Sequence, residues 1–276
     1  KTGYLASDLA REVPAVAAGD REALVAGNRT FAVDLYHAVG GQDNMIFSPY
    51  SISLALAMAY AGARGETGTQ MAEVLSYTLP RERLHPAFNA LDQSLNALGD
   101  VNPMEASIPF QLSIANAAWG QRDYAFHPEY LDTLALNYGA GLRLVDFIDE
   151  PEPSRLTIND WVEEQTEGRI TDLIPQGVIT PDTRLVLTNA IYFYGAWAEE
   201  FMPEATLDQP FFLLDGSSVT VPMMHRTALY PCLRGEDFTA VTLPYQGYRA
   251  SMTIIMPDEG QFAAFEQALT GDRLAE

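Results

Sequence analysis

Apolar residues recur at helical spacing from about Asp20, where Leu24, Phe31 and Leu35 line up with Val25 and Ala32 beside them, and Gly40-Gly41 closes the pattern. This predicts a first amphipathic helix. Ahead of it, residues 1–19 are polar and Ala-rich and read as a loosely held N-terminal arm. "MIF" at 45–47 reads as a short apolar strand. Ser48-Pro49 then reads as a helix cap followed by proline at the first helical position. The helix that follows, "YSISLALAMAYAGA", is unusually small-sided. Alanine favours helix but has little surface to bury, so this helix suits the close approach of another element better than a bulky core. Thr67 with Gln70 reads as a capping box for the next helix, which carries Met71, Val74 and Leu75.

Further on the period changes. "QLSIANAAWG" alternates, with Leu112, Ile114 and Asn116 on one face of a strand. A helix around "HPEYLDTLALNYGA" has Pro128 near its start and Gly139 at its end. "GLRLVDF" alternates again, and "SRLTINDWVEEQTEG" predicts a helix capped by Ser154 and ended by Gly168. "TRLVLTNAIYFYGAW" is the longest strand, with Leu185, Leu187, Asn189, Ile191 and Phe193 on one face and Val186, Thr188, Ala190 and Tyr192 on the other. Both faces are largely apolar, which predicts a central strand covered on both sides. From "QPFFLLDGSSVTVPMM" to "RASMTIIMPDEG" strands follow one another through turns such as Asp215-Gly216, and "QFAAFEQALTGD" predicts a short final helix. There is no repeat and no linker-like tract, so a single domain is expected.

Composition narrows the functional classes. The 276 residues carry 16 basic and 37 acidic side chains, a formal charge of -21, and Lys1 is the sole lysine. Nucleic acid, heparin-type polyanions and anionic membranes each need clustered basic residues, and Arg81 with Arg83 is the nearest this chain comes. None of these partners is expected. The preference for Arg over Lys suggests a genome-wide bias and a prokaryotic source. Cys232 stands alone, so no internal disulfide forms and the fold rests on its core. The longest apolar run is too short to span a bilayer. The first residue is Lys rather than Met, consistent with a processed chain and weakly with export to an extracellular setting.

Catalytic and metal motifs are missing from the sequence. It contains no G-x-S-x-G, H-E-x-x-H, S-x-x-K, G-x-x-x-x-G-K or G-x-G-x-x-G. His37, His85, His127 and His225 lie far apart and none shares a helical turn with another metal-type ligand. No catalytic residue, metal site or cofactor is assigned.

Three stretches together resemble one family. "FSPYSISLALAMAYAGARGETGTQM", "INDWVEEQTEGRITDLIPQGVITPDTRLVLTNAIYFYGAWAEEF" and the pair "VPMMHRT" and "IIMPDEG" are similar, in order and spacing, to the serpins, largely protease inhibitors. The resemblance covers residues 20–276, taken as one serpin domain behind the 1–19 arm. It implies an α+β fold with a large central mixed sheet, two further sheets and eight or nine helices. It also implies a continuation beyond Glu276, containing further strands and the reactive loop, so the bait residues lie outside this chain.

The implied function is inhibition of serine proteases, with cysteine proteases as further targets. A monomer acts as suicide substrate: its loop is cut, the acyl-enzyme is trapped and the loop inserts into the central sheet. The alternative is a non-inhibitory carrier, chaperone or binding protein of the same fold. By resemblance, Ser48, Ser51 and Asn189 match the shutter beneath the sheet, Trp197 matches the breach where the loop begins to enter, and Asn116 matches a supporting position on the second strand. Each has a plainer reading: Ser48 as a helix cap, Asn189 as a buried amide satisfied by backbone, Trp197 as strand-end packing, Asn116 as structural pairing.

Overall fold

The computed structural model describes residues 3–40, 44–98 and 111–276. It divides into two compact units, one built from residues 1–97, 112–192 and 269–276, the other from 98–111 and 193–268.

In the first unit the helices are α1 (Ala18–Val39), α2 (Pro49–Gly62), α3 (Gly65–Val74), α4 (Arg81–Asn96), α5 (Pro128–Tyr138) and α6 (Pro151–Gln165). Among the described residues its sheet has four strands, β1 (Gly3–Leu5), β2 (Gln111–Gln121), β3 (Leu142–Val145) and β4 (Leu185–Tyr194), in the order β1-β3-β2-β4. The sheet is mixed. β1 runs antiparallel to β3, and β2 runs parallel to it. Between β2 and β4, Gln121 bonds to Arg184 while Asn116 bonds to Asn189, so the partner numbers rise as those of β2 fall, which makes the pair antiparallel.

The helices form where local signals demand. α2 starts at Ser48, whose hydroxyl accepts from the Ser51 N–H, with Pro49 in the first turn. α5 ends where Gly139 takes the left-handed conformation, φ 59°. Leu24 of α1, Leu54, Ala57 and Tyr60 of α2 and Leu84, Ala87 and Phe88 of α4 form one buried cluster. Phe88 is fully buried, which contributes about 1.5–3 kcal/mol.

The second unit holds the hairpin β5 (Leu207–Phe212) and β6 (Ser218–Met223), the antiparallel β7 (Cys232–Arg234), β8 (Phe238–Pro244) and β9 (Ser251–Pro257), and α7 (Phe262–Gln267). Phe238, Ala240, Leu243, Tyr245 and Phe265 are its buried side chains. With two one-turn 3₁₀ helices, the described residues give three sheets and seven α-helices, an α+β fold.

Several local expectations are corrected. Residues 45–47 form no strand: Ile46 is 98% exposed and the segment has no strand beside it among the described residues. α3 starts two residues before Thr67, and Gln70 donates to Glu66 instead of closing a capping box. Ser154 lies inside α6, which starts at Pro151, and its hydroxyl donates to the Asp146 carbonyl at 2.9 Å.

The N-terminal stretch is tied down rather than loose. β1 pairs with β3, Arg11 donates to Asn89 at 2.8 Å and Asp92 at 2.7 Å, the Glu12 N–H donates to the Leu136 carbonyl, and the Glu12 carbonyl accepts from the Asn89 side-chain amide. A polar, Ala-rich stretch gives no pattern from which such non-local pairing can be read.

Among the described residues β4 stands last in the strand order, beside β2, and Leu185 and Ile191 are each 37% exposed. Alternation reports which face a side chain takes and is silent about which strand lies alongside.

Candidate functional site

The alternation of β2 and β4 sorts the site residues by face. Ala118 and Leu187 pack with Ala55, Met58 and Ala61 of α2, whereas Ala117, Trp119 and Val186 pack with Ile158 and Trp161 of α6. Asn116 and Asn189, each two residues from a member of the first set, therefore lie on the α2 face. The Asn189 Nδ2 donates to Asn116 Oδ1 at 2.6 Å, joining the two strands through their side chains.

On α2, Ser51 precedes Ala55 by four residues and Met58 by seven, so it shares the stripe that packs on the sheet. It is fully buried, and its Oγ accepts from Ser48 Oγ at 3.0 Å. The same Ser48 Oγ accepts from the Ser51 N–H at 3.4 Å as a helix cap. The serines thus form one pair and the asparagines another, and no hydrogen bond joins the two pairs among the described residues. Asn189 takes its partner from the neighbouring strand rather than from the helix.

Two side chains of this layer gave no signal in the sequence. Ser53, also fully buried, accepts at its carbonyl from the Tyr77 hydroxyl at 2.7 Å, and the two hydroxyls lie 3.3 Å apart. Burial pushes the Tyr77 phenol well above its ordinary range, so it stays a neutral donor. On the opposite face Trp119 Nε1 donates to Thr188 Oγ1 at 3.0 Å, a second side-chain link between β2 and β4.

Trp197 belongs to the second unit. Its ring stacks on Tyr245 with centroids 4.7 Å apart and planes 11° from parallel, and it meets Phe201 edge-on at 6.2 Å. Backbone bonds from Ala198 to Pro244 and from Gln246 to Ala196, both 2.9 Å, fix the segment beside Tyr245. The aromatic stack and these bonds account for the position of Trp197 without any ligand.

No group of three or more His, Cys, Asp or Glu among the described residues is arranged to hold a metal ion, and no described helix is long and apolar enough to cross a membrane.

The comparisons with known proteins agree with one another. The family model described as Serpin (serine protease inhibitor) matches residues 26–276. Leukocyte elastase inhibitor from Sus scrofa is 42% identical over 265 residues, covering 92% of this chain and 68% of that protein. An uncharacterized serpin-like protein from the archaeon Thermococcus kodakarensis is 40% identical, covering 91% of this chain and 57% of its own length. Among solved structures, emu ovalbumin superposes with a TM-score of 0.81 at 28% identity, covering 92% of this chain and 68% of that one. The reactive-loop-cleaved human thyroxine binding globulin also gives 0.81, at 30% identity, with 92% and 74% covered.

Proposed function

The chain belongs to the serpin family, protease inhibitors rather than enzymes, and from that premise we propose that the protein it represents is a suicide-substrate inhibitor of a serine protease. The protease supplies the nucleophile and cuts an exposed loop. The acyl-enzyme is held when the cut loop enters the central sheet. Loop insertion of this kind is a known form of strand addition that releases stored strain. The loop lies outside these 276 residues, and the leukocyte elastase inhibitors that match the chain extend beyond it.

One observation carries the reading. Leu187 of β4 packs on α2, a helix whose sheet-facing stripe is Ser51, Ala55, Met58 and Ala61. Small side chains present shallow knobs, so a strand can shift across them at a lower cost than across a bulky interlocked layer. In this reading Ser48, Ser51, Asn116 and Asn189 are the polar groups that hold the closed sheet and re-pair after it parts. Trp197 marks the place where the loop begins to enter.

The test uses the full-length polypeptide with a trial serine protease such as an elastase. A covalent complex that survives detergent, together with a rise in melting temperature after loop cleavage, is the expected result. Clean cleavage with the protease left fully active and no gain in heat resistance overturns it. That outcome favours a second reading, a non-inhibitory binding protein, which the likeness to ovalbumin and thyroxine binding globulin supports.

A further inference from the structure

A cleft of about 390 Å³ in the first unit lies between the outer strands of the sheet and α6, within the roughly 300–1,000 Å³ range of small-ligand pockets. Its floor is a row across three strands. The pairing puts Tyr4 of β1 opposite Arg143 of β3, and Arg143 beside Trp119 of β2. Its other wall is one stripe of α6, with Asp160, Trp161 and Glu164 at successive positions of the same face.

Arg143 is held by rings alone. Its guanidinium carbon is 5.5 Å from the Trp119 ring centroid and 5.0 Å from that of Trp161, and the two indoles meet edge to face at 5.7 Å. It has no hydrogen-bond acceptor and no ion pair among the described residues. A guanidinium stacked on aromatic faces keeps its N–H edge free, in the planar fork that fits a carboxylate. Asp160 and Glu164 are exposed and likewise make no ion pair among the described residues, although they line the same cleft as this cation. They stand one helical turn, about 6 Å, apart along α6. Tyr4, 61% exposed, leaves its ring open as an outer wall.

An unpaired cation and two unpaired carboxylates in one aromatic-walled cleft call for a ligand carrying both signs of charge. We propose that this cleft binds a free α-carboxylate attached to a basic side chain: the C-terminal Arg or Lys of a peptide, or the free basic amino acid. The carboxylate takes the fork of Arg143. The side-chain cation lies between Asp160 and Glu164, where the field of a chain with net charge -21 also favours it. The site is distinct from the inhibitory reading and does not depend on it.

Titration calorimetry of the full-length protein with Gly-Gly-Arg, its C-terminal amide and free L-arginine tests the assignment. Gly-Gly-Arg should bind at least about tenfold more tightly than the amide, whose carboxylate is gone. L-arginine matching the peptide assigns the free amino acid as the source of this chemistry, and weaker binding assigns the peptide end. The exposed substitutions Asp160→Asn and Glu164→Gln together should weaken the peptide about tenfold, and Arg143→Gln should abolish the preference for acid over amide. Equal binding of acid and amide by the unaltered full-length protein, or no heat up to about 10 mM peptide, overturns the proposal, and neither result depends on how a variant folds.

Discussion

The four-stranded sheet has two unlike covers. On one side α2 meets it through Ala55, Met58 and Ala61, with the polar pairs Ser48–Ser51 and Asn116–Asn189 in the same layer. On the other, α6 meets it through Ile158 and Trp161 against Trp119, Val186 and Phe147. The second cover is made of large interlocking side chains and one indole hydrogen bond, and a layer like that has a single comfortable register. The first is made of small groups and hydroxyls, which keep acceptable contacts over a range of offsets. One sheet can thus be clamped on one face and shallowly engaged on the other.

Four measurements break or sharpen this contrast. Trp119→Ala empties the largest fully buried side chain of the clamped face and leaves Thr188 without its indole donor. It should cost about 3–5 kcal/mol in chemical denaturation. A loss below about 1 kcal/mol would contradict the clamp.

The α2 side also carries a pH dependence. His85 of α4 packs on Tyr60 of α2, and its Nδ1 lies 2.6 Å from the Tyr138 hydroxyl. Burial, with Arg81 and Arg64 nearby, pulls the imidazole down to about 4. The folded value lies below the unfolded one, so the unfolded chain takes up the proton first. Stability is therefore complete above about pH 6.5 and falls as pH drops towards 4, by roughly 3 kcal/mol at the limit. The difference between the stability–pH curves of the parent and His85→Phe checks this, and parallel curves across that window would refute it.

Smaller effects follow on the α2 face itself. Ala55→Leu introduces a knob into the shallow layer and should cost about 1–3 kcal/mol. In the full-length protein it should also slow the gain of heat stability after loop cleavage. Asn189→Ala leaves the Asn116 amide without its partner and should cost about 1 kcal/mol. The double variant with Asn116→Ala should recover part of that loss, and strict additivity would show that the pair does not couple.

What could be read from the chain follows from range. The start of α2 at Ser48-Pro49 and the end of α5 at Gly139 were legible because each is set by two or three adjacent residues. The alternation of β4 correctly separated Leu187 and Asn189 from Val186 and Thr188, yet it did not say which strand lies alongside, because neighbours are chosen across the sheet. β1 was illegible: three residues carry no period, and its anchor is the pairing with Leu142, Arg143 and Leu144 far along the chain. Ser48, Ser51, Asn116, Asn189 and Trp197 were singled out through the family resemblance rather than by chemistry. The Tyr77–Ser53 bond and the ring-framed Arg143 had no local signature at all.

The tethering of β1 also gives the sheet unequal borders. Among the described residues one border is three residues long and topped by an outward Tyr4, while the other is the ten-residue β4. Short, blunted borders discourage further pairing, and long ones invite it. Among the described residues a joining ribbon therefore finds little purchase along β1 and more along β4.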